Sequence, residues 1–312
     1  MAPDQKRRSH LIAGHAVIVR GRLVKVGQLR QEFYCAIDDP PRFIDEVKKA
    51  PVKIDILTFL QKFPESKPLY EYYMEWDNFA AIPITTFENW YRREIPKATR
   101  RGIRKSGEFC VEIRWVDFDD NLVRGITELF NETPLRQGKP FWHYGKDFTA
   151  VKKEMALDLE RSKFLGAFCG GELIGFIKLI FGPQYARTTL IISKIAHRAK
   201  YPNNALIAKA VEVCAEQKIP YLVYGKLQYG KLGNQTLIDF KVNNGFRRIE
   251  IPRYYVPLTA KGKLGLKLRP QHGALSLFPG NLVRPALLLR QKWYSLTSKT
   301  LKRARSCVIP PT

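Results

Sequence analysis

Two periods alternate along this 312-residue chain. Apolar residues two apart mark strands that bury one face, and apolar residues three and four apart mark amphipathic helices. In the first ninety residues the period of two dominates. Residues 16–19 and 23–26 flank an Arg20-Gly21-Arg22 turn, Val52, Ile54 and Ile56 alternate as in a strand, and 69–76 reads as another strand that meets an Asp77-Asn78 turn before 79–84. Asp39 ahead of Pro40 and Pro41 has the capping side chain and fixed φ of a helix start, with Phe43 and Val47 on its buried stripe. Thr85 and Glu88 form a capping box for a helix over 87–93. Pro96 suits the first turn of a further helix in which Lys97, Arg100, Arg101 and Arg104 recur at helical spacing. Residues 1–95 thus read as an α+β subdomain, and the basic helix as its joint to a domain over 96–258.

In that second domain 109–115 predicts a strand, and Leu122, Val123, Ile126, Leu129 and Phe130 define one face of a helix. Asp147 caps the next helix, which extends to about residue 160. Residues 164–169 and 173–181 form a hairpin around Gly170-Gly171, residues that accept the positive φ of a primed turn. A strand over 188–195 follows, then an almost wholly apolar helix over 203–216, which has to be buried on all sides. A short strand over 221–225, a helix over 234–244 and a β region over 247–258 complete the order. No internal repeat or low-complexity segment interrupts it.

An apolar content of 45% is that of a chain able to bury real cores. No apolar run reaches the ~18 to 20 residues that span a bilayer, and residues 1–10 carry no apolar stretch of secretory type. The expected location is the cytoplasm, with peripheral attachment at the inner membrane surface as the alternative. Five dispersed cysteines, Cys35, Cys110, Cys169, Cys214 and Cys307, fit reduced thiols, and neither they nor the five histidines have metal-ligand spacing, so no metal is expected. Charge changes the picture more. The formal net charge is +24, and most of the excess lies in 91–107 and in 259–312, where eleven basic residues meet no acidic one. Such patches concentrate polyanions, so tRNA and an anionic membrane surface are the expected partners beside a plain solvated surface. The extension at 259–312 also carries Leu287, Leu288, Leu289, Trp293 and Tyr294 among its cations, the makeup of an amphipathic basic helix.

The element order resembles a GNAT domain, and particular residues carry the resemblance. Phe164-Leu-Gly-Ala-Phe-Cys-Gly-Gly-Glu-Leu-Ile-Gly-Phe-Ile177 is similar to the central hairpin of that fold, and Phe240-Lys-Val-Asn-Asn-Gly-Phe246 to its Gly-Phe-ended last helix. Thr99-Arg100, Ile103-Arg104-Lys105 and Val111 are similar to the basic helix and strand that precede the main domain of FemAB-like proteins, and Lys241 falls where many of those have lysine. The resemblance covers about residues 70–258. It implies a mixed central sheet flanked by helices, a smaller N-terminal half that is a degenerate copy of the same fold, and transfer of an acyl or aminoacyl group to an amine. By family analogy the acceptor is a cell-envelope or polysaccharide precursor and the donor an acyl-CoA such as acetyl-CoA or an aminoacyl-tRNA. A non-catalytic GNAT-fold module bound to RNA or membrane is the rival reading. Where GNAT enzymes carry glycines that admit a pyrophosphate, this chain has Arg198-Ala-Lys200-Tyr201-Pro202-Asn203-Asn204. Side chains fill both glycine positions and Pro202 removes a donor, while Arg198 and Lys200 retain positive charge and Asn203 and Asn204 open the helix. The tyrosine that protonates the leaving thiolate in many GNAT enzymes falls at Lys241.

Candidate chemistry concentrates in the loop 131–145. Glu132 and His143 are candidate general bases, Arg136 and Gln137 anchors for the acceptor, and Trp142 and Tyr144 stacking walls. An ordered loop whose aromatics pack on the core is the alternative. Lys226, Tyr229, Lys231 and Lys241 surround a glycine-rich turn that suits an anion or an ordinary surface, Lys241 is also a candidate catalytic residue that stabilises negative charge on the acceptor or leaving group, and His197 adjoins the presumed donor loop.

Overall fold

The computed structural model describes residues 9–229 and 234–268, apart from 31 and 33–35. Cys35, Cys307, Gly230, Lys231, Gly233 and the basic extension beyond residue 268 lie outside the described residues.

β1 (Ser9–Ile12) and β2 (His15–Arg20) form a hairpin, and β3 (Val26–Leu29) pairs antiparallel with β2. The strand expected at 23–26 begins three residues late because the turn uses residues 21–25: Gly21 has φ +95°, and a Cβ there would lie 2.0 Å from the Val24 carbonyl oxygen. α1 (Pro40–Lys49) starts as expected, with Asp39 accepting from the Arg42 amide. The following strand is β4 (Ile56–Leu60) rather than the alternation at 52–56; all five of its residues are buried, as in a strand covered on both faces. β5 (Tyr73–Pro83) runs straight through Asp77-Asn78, where a turn was expected. Asp77 stays in the strand because its carboxylate accepts from Arg253 Nε at 2.8 Å, a partner distant in sequence.

α2 (Phe87–Asn89) is capped by Thr86 instead of Thr85 and passes into a π-helical turn, Trp90–Glu94. Pro96 is the N-cap, not the first residue, of α3 (Lys97–Glu108). Next come β6 (Glu112–Val116), α4 (Asp120–Asn131), the small ribbon β7 (Leu135–Arg136) and β8 (Lys139–Pro140), and α5 (Phe148–Met155). α5 stops at Met155 instead of near 160. Asp158 is left-handed, and the buried Lys178 ammonium donates to the Met155 and Leu157 carbonyls. β9 (Ser162–Cys169) and β10 (Glu172–Phe181) form the expected hairpin, with Gly170 and Gly171 at φ +58° and +82°. β11 (Ala186–Ser193), α6 (Pro202–Glu216), β12 (Tyr221–Val223), α7 (Gln235–Asn243), β13 (Arg247–Pro257) and α8 (Ala260–Leu268) complete the described chain. No helix among the described residues is long and apolar enough to cross a membrane.

Among the described residues the chain divides into two compact units, one of residues 9–79 and 248–268 and one of 80–247. In the first the strand order is β1-β2-β3-β4-β13-β5, with β5 contributing its residues up to Phe79. Its core gathers Phe43, Val47, Leu57, Phe59 and Tyr254. Arg253 is buried beside it and donates to Glu32 at 2.7 and 2.9 Å as well as to Asp77. In the second unit the order is β5-β12-β11-β10-β9-β6. One face of this sheet packs on α6, whose Leu206, Ile207, Ala210, Val211 and Cys214 are buried, and the other on α4 and α5 through Ile126, Phe130, Val151 and Phe176. The apolar character of α6 on all sides is thereby explained.

Replacing Arg253 by Ala leaves two buried carboxylates without their cation, so the unfolding free energy should fall by about 3–5 kcal/mol. Urea denaturation of the variant beside the parent measures it.

Candidate functional site

The site is built where β11 parts from β12. Among the described residues their parallel ladder has two pairs, Ala186 with Leu222 and Arg187 with Val223, whereas β11 continues to Ser193 alongside β10. Lys194 donates its amide to Ile174 of β10, so the backbone groups of Ser193, one residue earlier, point the other way, into the gap. Arg136 Nη1 reaches this strand end and donates to the Ser193 carbonyl at 2.7 Å. Its Nη2 donates to Glu132 at 3.0 Å and to the Leu129 carbonyl at 3.3 Å. Glu132 in turn accepts from the amides of Ile195 (2.8 Å) and Ala196 (3.0 Å), the first residues of the 3-10 turn Ile195–Lys200. Burial lowers the Arg136 pKa, opposed by the Glu132 charge and assisted by that of Arg198. Glu132 and Arg136 therefore form a clamp on the end of β11, and the carboxylate expected to act as a base is already committed to two amides and a guanidinium.

The ribbon β7–β8 carries Gln137 and Gly138 at its tip, both at positive φ, and Gln137 accepts from Asn234, next to the start of α7, at 2.6 Å. Lys241 lies on α7 and is fully buried. Its ammonium donates to the Tyr224 and Lys226 carbonyls, each at 2.7 Å, and stands 4.1 Å from the Tyr224 ring centre and 5.4 Å from that of Tyr229. Burial, and then the charge of Arg187 on β11, push its pKa down to about 7. Tyr229 accepts from the Lys226 amide at 3.3 Å, and its hydroxyl packs against Gly225.

His143 stacks on Phe130 with ring centres 4.2 Å apart. Its Nδ1 lies 3.1 Å from Lys146 Nζ and 3.5 Å from Glu154 Oε1, and Lys146 also pairs with Glu154. Burial alone works against a charged Glu154, but hydrogen bonds and charge from His143 and Lys146 prevail and lower its pKa. Trp142 and Tyr144, on either side of the histidine, are exposed, and Lys146 stands over the Trp142 ring.

The side chains of 198–204 go to separate partners. Arg198 is exposed, Lys200 lies 3.0 Å from the Cys169 sulfur, and Asn204 donates to Asn244 at 3.1 Å. Asn203 has a buried oxygen without a hydrogen-bond partner, and His197 faces Glu172. The structure thus brings Glu132 and Arg136 onto β11, Gln137 toward α7, and Trp142, His143 and Tyr144 onto one loop. Lys241, Lys226 and Tyr229 stand together around the end of β12. Glu154, Arg187 and Tyr224 went unnoticed in the sequence. Only the inward turn of α5 selects Glu154, and nothing local marks Arg187 among so many cations. Among the described residues no group of three His, Cys, Asp or Glu is placed to hold a metal. A cleft of about 330 Å³ lined by Trp115, Phe118, Leu159 and Lys163 lies away from the gap, on the β6 and β9 edge.

No protein-family model matches the sequence, and no curated protein does either. Solved structures do. FemX superposes with a TM-score of 0.55 at 8% identity, over 81% of this chain and 86% of that one. The C-terminal domain of an Agrobacterium fabrum protein named as a lysylphosphatidylglycerol synthetase gives 0.51 at 12%, over 84% and 87%. A conserved protein of unknown function from Bacteroides thetaiotaomicron gives 0.51 at 11%, over 80% and 85%. The chain shares the fold of FemX and of that synthetase domain, the GNAT-type arrangement expected from the element order.

In GNAT terms β11 and β12 are the strands that splay, α6 is the helix after the donor turn, and α7 carries Lys241. The Asn243-Asn244-Gly245 turn behind that helix is held by two side chains. Thr99 donates to the Asn243 carbonyl, Trp90 donates to that of Asn244, and Gly245 at φ +85° leaves room for the Trp90 ring, 2.8 Å from where a Cβ would stand. An acyl-CoA donor, which the fold implies, would meet Arg198, Lys200 and the start of α6 at the turn 198–204, just after backbone groups that are already engaged. The amides of Ile195 and Ala196 hold a protein carboxylate, and the Ser193 carbonyl holds a guanidinium.

Because the folded-state pKa of Lys241 lies below that of a free lysine, the unfolded chain binds a proton there between pH about 7 and about 10.5 that the folded chain lacks. Stability at this position therefore rises with pH across that window. Relative to Lys241→Met, the parent should gain unfolding free energy from pH 6 to pH 10, measured by urea denaturation.

Proposed function

We propose that the chain is a transferase that passes an acyl or aminoacyl group to an amine, with a cell-envelope or polysaccharide precursor as the acceptor. The observation that carries this is the His143–Glu154 pair beside two exposed rings. An amine is an ammonium ion at neutral pH and must lose a proton before its nitrogen can attack a carbonyl carbon. When Nδ1 of His143 carries the ring proton Glu154 accepts it, the neighbouring Lys146 ammonium donates to Glu154 instead of to the ring, and Nε2 is then the basic nitrogen. One proton of the ammonium is lost to solvent first; the base takes the second, from the neutral amine nitrogen, as the C–N bond forms, and returns it to the leaving group as the old bond to the acyl carbon breaks. Trp142 and Tyr144 are stacking surfaces for the acceptor, and Lys241 holds the carbonyls at the end of β12 so that the floor of the gap keeps its shape. The GNAT fold shared with FemX supports the reaction class.

The same reading gives the exposed cations of α3 to a polyanion, RNA or an anionic membrane at the cytoplasmic side. Lys97, Arg101 and Arg104 are exposed on this helix, Arg92 and Arg93 precede it, and Arg104 is partly neutralised by Glu108 at 3.3 Å. Affinity for such a partner should fall steeply with salt and weaken when Arg101 and Arg104 become Glu. A filter-binding titration at two ionic strengths shows whether it does.

The decisive assay offers the protein charged tRNA and acyl donors with amine-bearing envelope precursors and follows the product by mass spectrometry. His143→Gln should lower kcat at least ~100-fold with the thermal midpoint within a few degrees of the parent. Unchanged turnover in that variant, or no product from any donor, refutes the reading.

A further inference from the structure

The cleft of about 330 Å³ on the β6 and β9 edge carries side chains that the acyl-transfer site does not use. Its apolar walls are Trp115, Phe118, Leu159 and Phe164. Phe118 and Phe164 are stacked, with ring centres 5.6 Å apart and planes at 18°, and Trp115 is 42% exposed although it is a large aromatic residue in a strand. Two opposite charges stand at the rim. The β6–β9 ladder ends with Val116 against Phe164, so Asp117 and Lys163 follow as neighbours across the two strands. Opposite charges placed in this way ordinarily attract and pair. Here they do not. Among the described residues neither side chain makes an ion pair or a hydrogen bond, and the Lys163 ammonium stands 5.8 Å from the Trp115 ring centre instead. A carboxylate, an ammonium and aromatic walls thus border one space.

We infer that this cleft is a ligand site for a free aromatic α-amino acid: Asp117 accepts from the ligand's ammonium, Lys163 donates to its carboxylate, and its ring enters against Phe118, Leu159 and Trp115. An α-amino acid carries both charges on one carbon, so it fits between two cross-strand neighbours whose Cα atoms are about 5 Å apart. A plain amine leaves Lys163 unmatched, and a plain carboxylic acid leaves Asp117 unmatched. A phosphate is repelled by the acids around the rim. Asp119 follows the lining Phe118, Glu160 follows Leu159, and Arg161 is already paired with Asp158 at 3.3 Å. The aromatic walls offer faces and edges to a ring, and pockets of this size with a few placed polar groups are those that hold small ligands. β10 stands between this edge and the gap beside β11. The amino acid is therefore additional to the donor and the acceptor, and its binding does not require the transferase reading to hold.

Isothermal titration calorimetry of the full-length protein with L-phenylalanine and L-tryptophan tests the site, with 2-phenylethylamine, 3-phenylpropionate and L-alanine as controls. The aromatic amino acids should bind with Kd below ~1 mM, and each control at least ~10-fold more weakly, since each lacks the carboxylate, the ammonium or the ring. Asp117→Asn should weaken L-phenylalanine at least ~5-fold and leave 3-phenylpropionate no weaker. Lys163→Met should weaken L-phenylalanine by as much and leave 2-phenylethylamine no weaker. Both positions are exposed, so each variant should keep its thermal midpoint within a few degrees of the parent. An absence of saturable heat up to ~10 mM of either amino acid overturns the inference. Binding of L-phenylalanine that either variant retains in full also overturns it, because the ligand then sits elsewhere, and so does a control that binds as tightly as L-phenylalanine.

Discussion

A strand that loses its neighbour leaves a row of amides and carbonyls that must find other partners. β11 does so after Arg187, and much of the site follows from how those groups are satisfied. On the β11 side Arg136 takes the Ser193 carbonyl and Glu132 takes the next two free amides. On the β12 side Lys241 takes the carbonyls of Tyr224 and Lys226. In an enzyme that binds its donor along this edge the ligand would supply part of that bonding. In this chain the fold supplies it, and the gap is a finished piece of structure before any substrate arrives.

This arrangement places unusual charges in the interior. Lys241 meets main-chain oxygens and aromatic rings where a carboxylate would ordinarily be found, and the charge that acts on it is a second cation, Arg187. Lys178 on β10 is similar, with its ammonium on the last carbonyls around α5 and its pKa pushed down to about 8 by burial, against the opposing charges of Asp158 and Glu154. Each lysine caps carbonyls that the ladder or helix leaves open. In both cases a carbonyl without its donor would be the costlier alternative. The first unit solves the opposite problem in another way: Arg253 lies between Glu32 and Asp77, a cation with two anions, and its pKa is raised despite the burial that opposes this.

Function then divides along the gap. The strand end of β11 is tied off by Glu132 and Arg136, while the loop that follows them presents Trp142 and Tyr144 to solvent and holds His143 against Glu154. Residues from one crowded stretch of sequence thus serve two ends, one tying off the end of β11 and the other presenting two rings to solvent. Gln137, between them, fastens the ribbon tip to Asn234.

The elements whose pattern is local were legible from the sequence. The Gly170-Gly171 hairpin, the Asp39 and Asp147 caps and the apolar helix α6 all appear where their residues put them, because a turn, a cap or a buried helix is decided by side chains a few positions apart. The loop 131–145 is also legible as a crowd of polar and aromatic side chains. Tertiary partners decided the rest. Asp77 reads as a turn residue and lies in a strand because Arg253 comes to it, and α5 stops early because Lys178 reaches its carbonyls. Glu132 reads as a free base and is consumed by the amides of residues 195 and 196, which only the folded sheet brings within 3.0 Å. A carboxylate is a base, a cap or a ligand according to what stands opposite it. In this chain the opposite partner is more than sixty residues away, where no periodicity in the sequence can point to it.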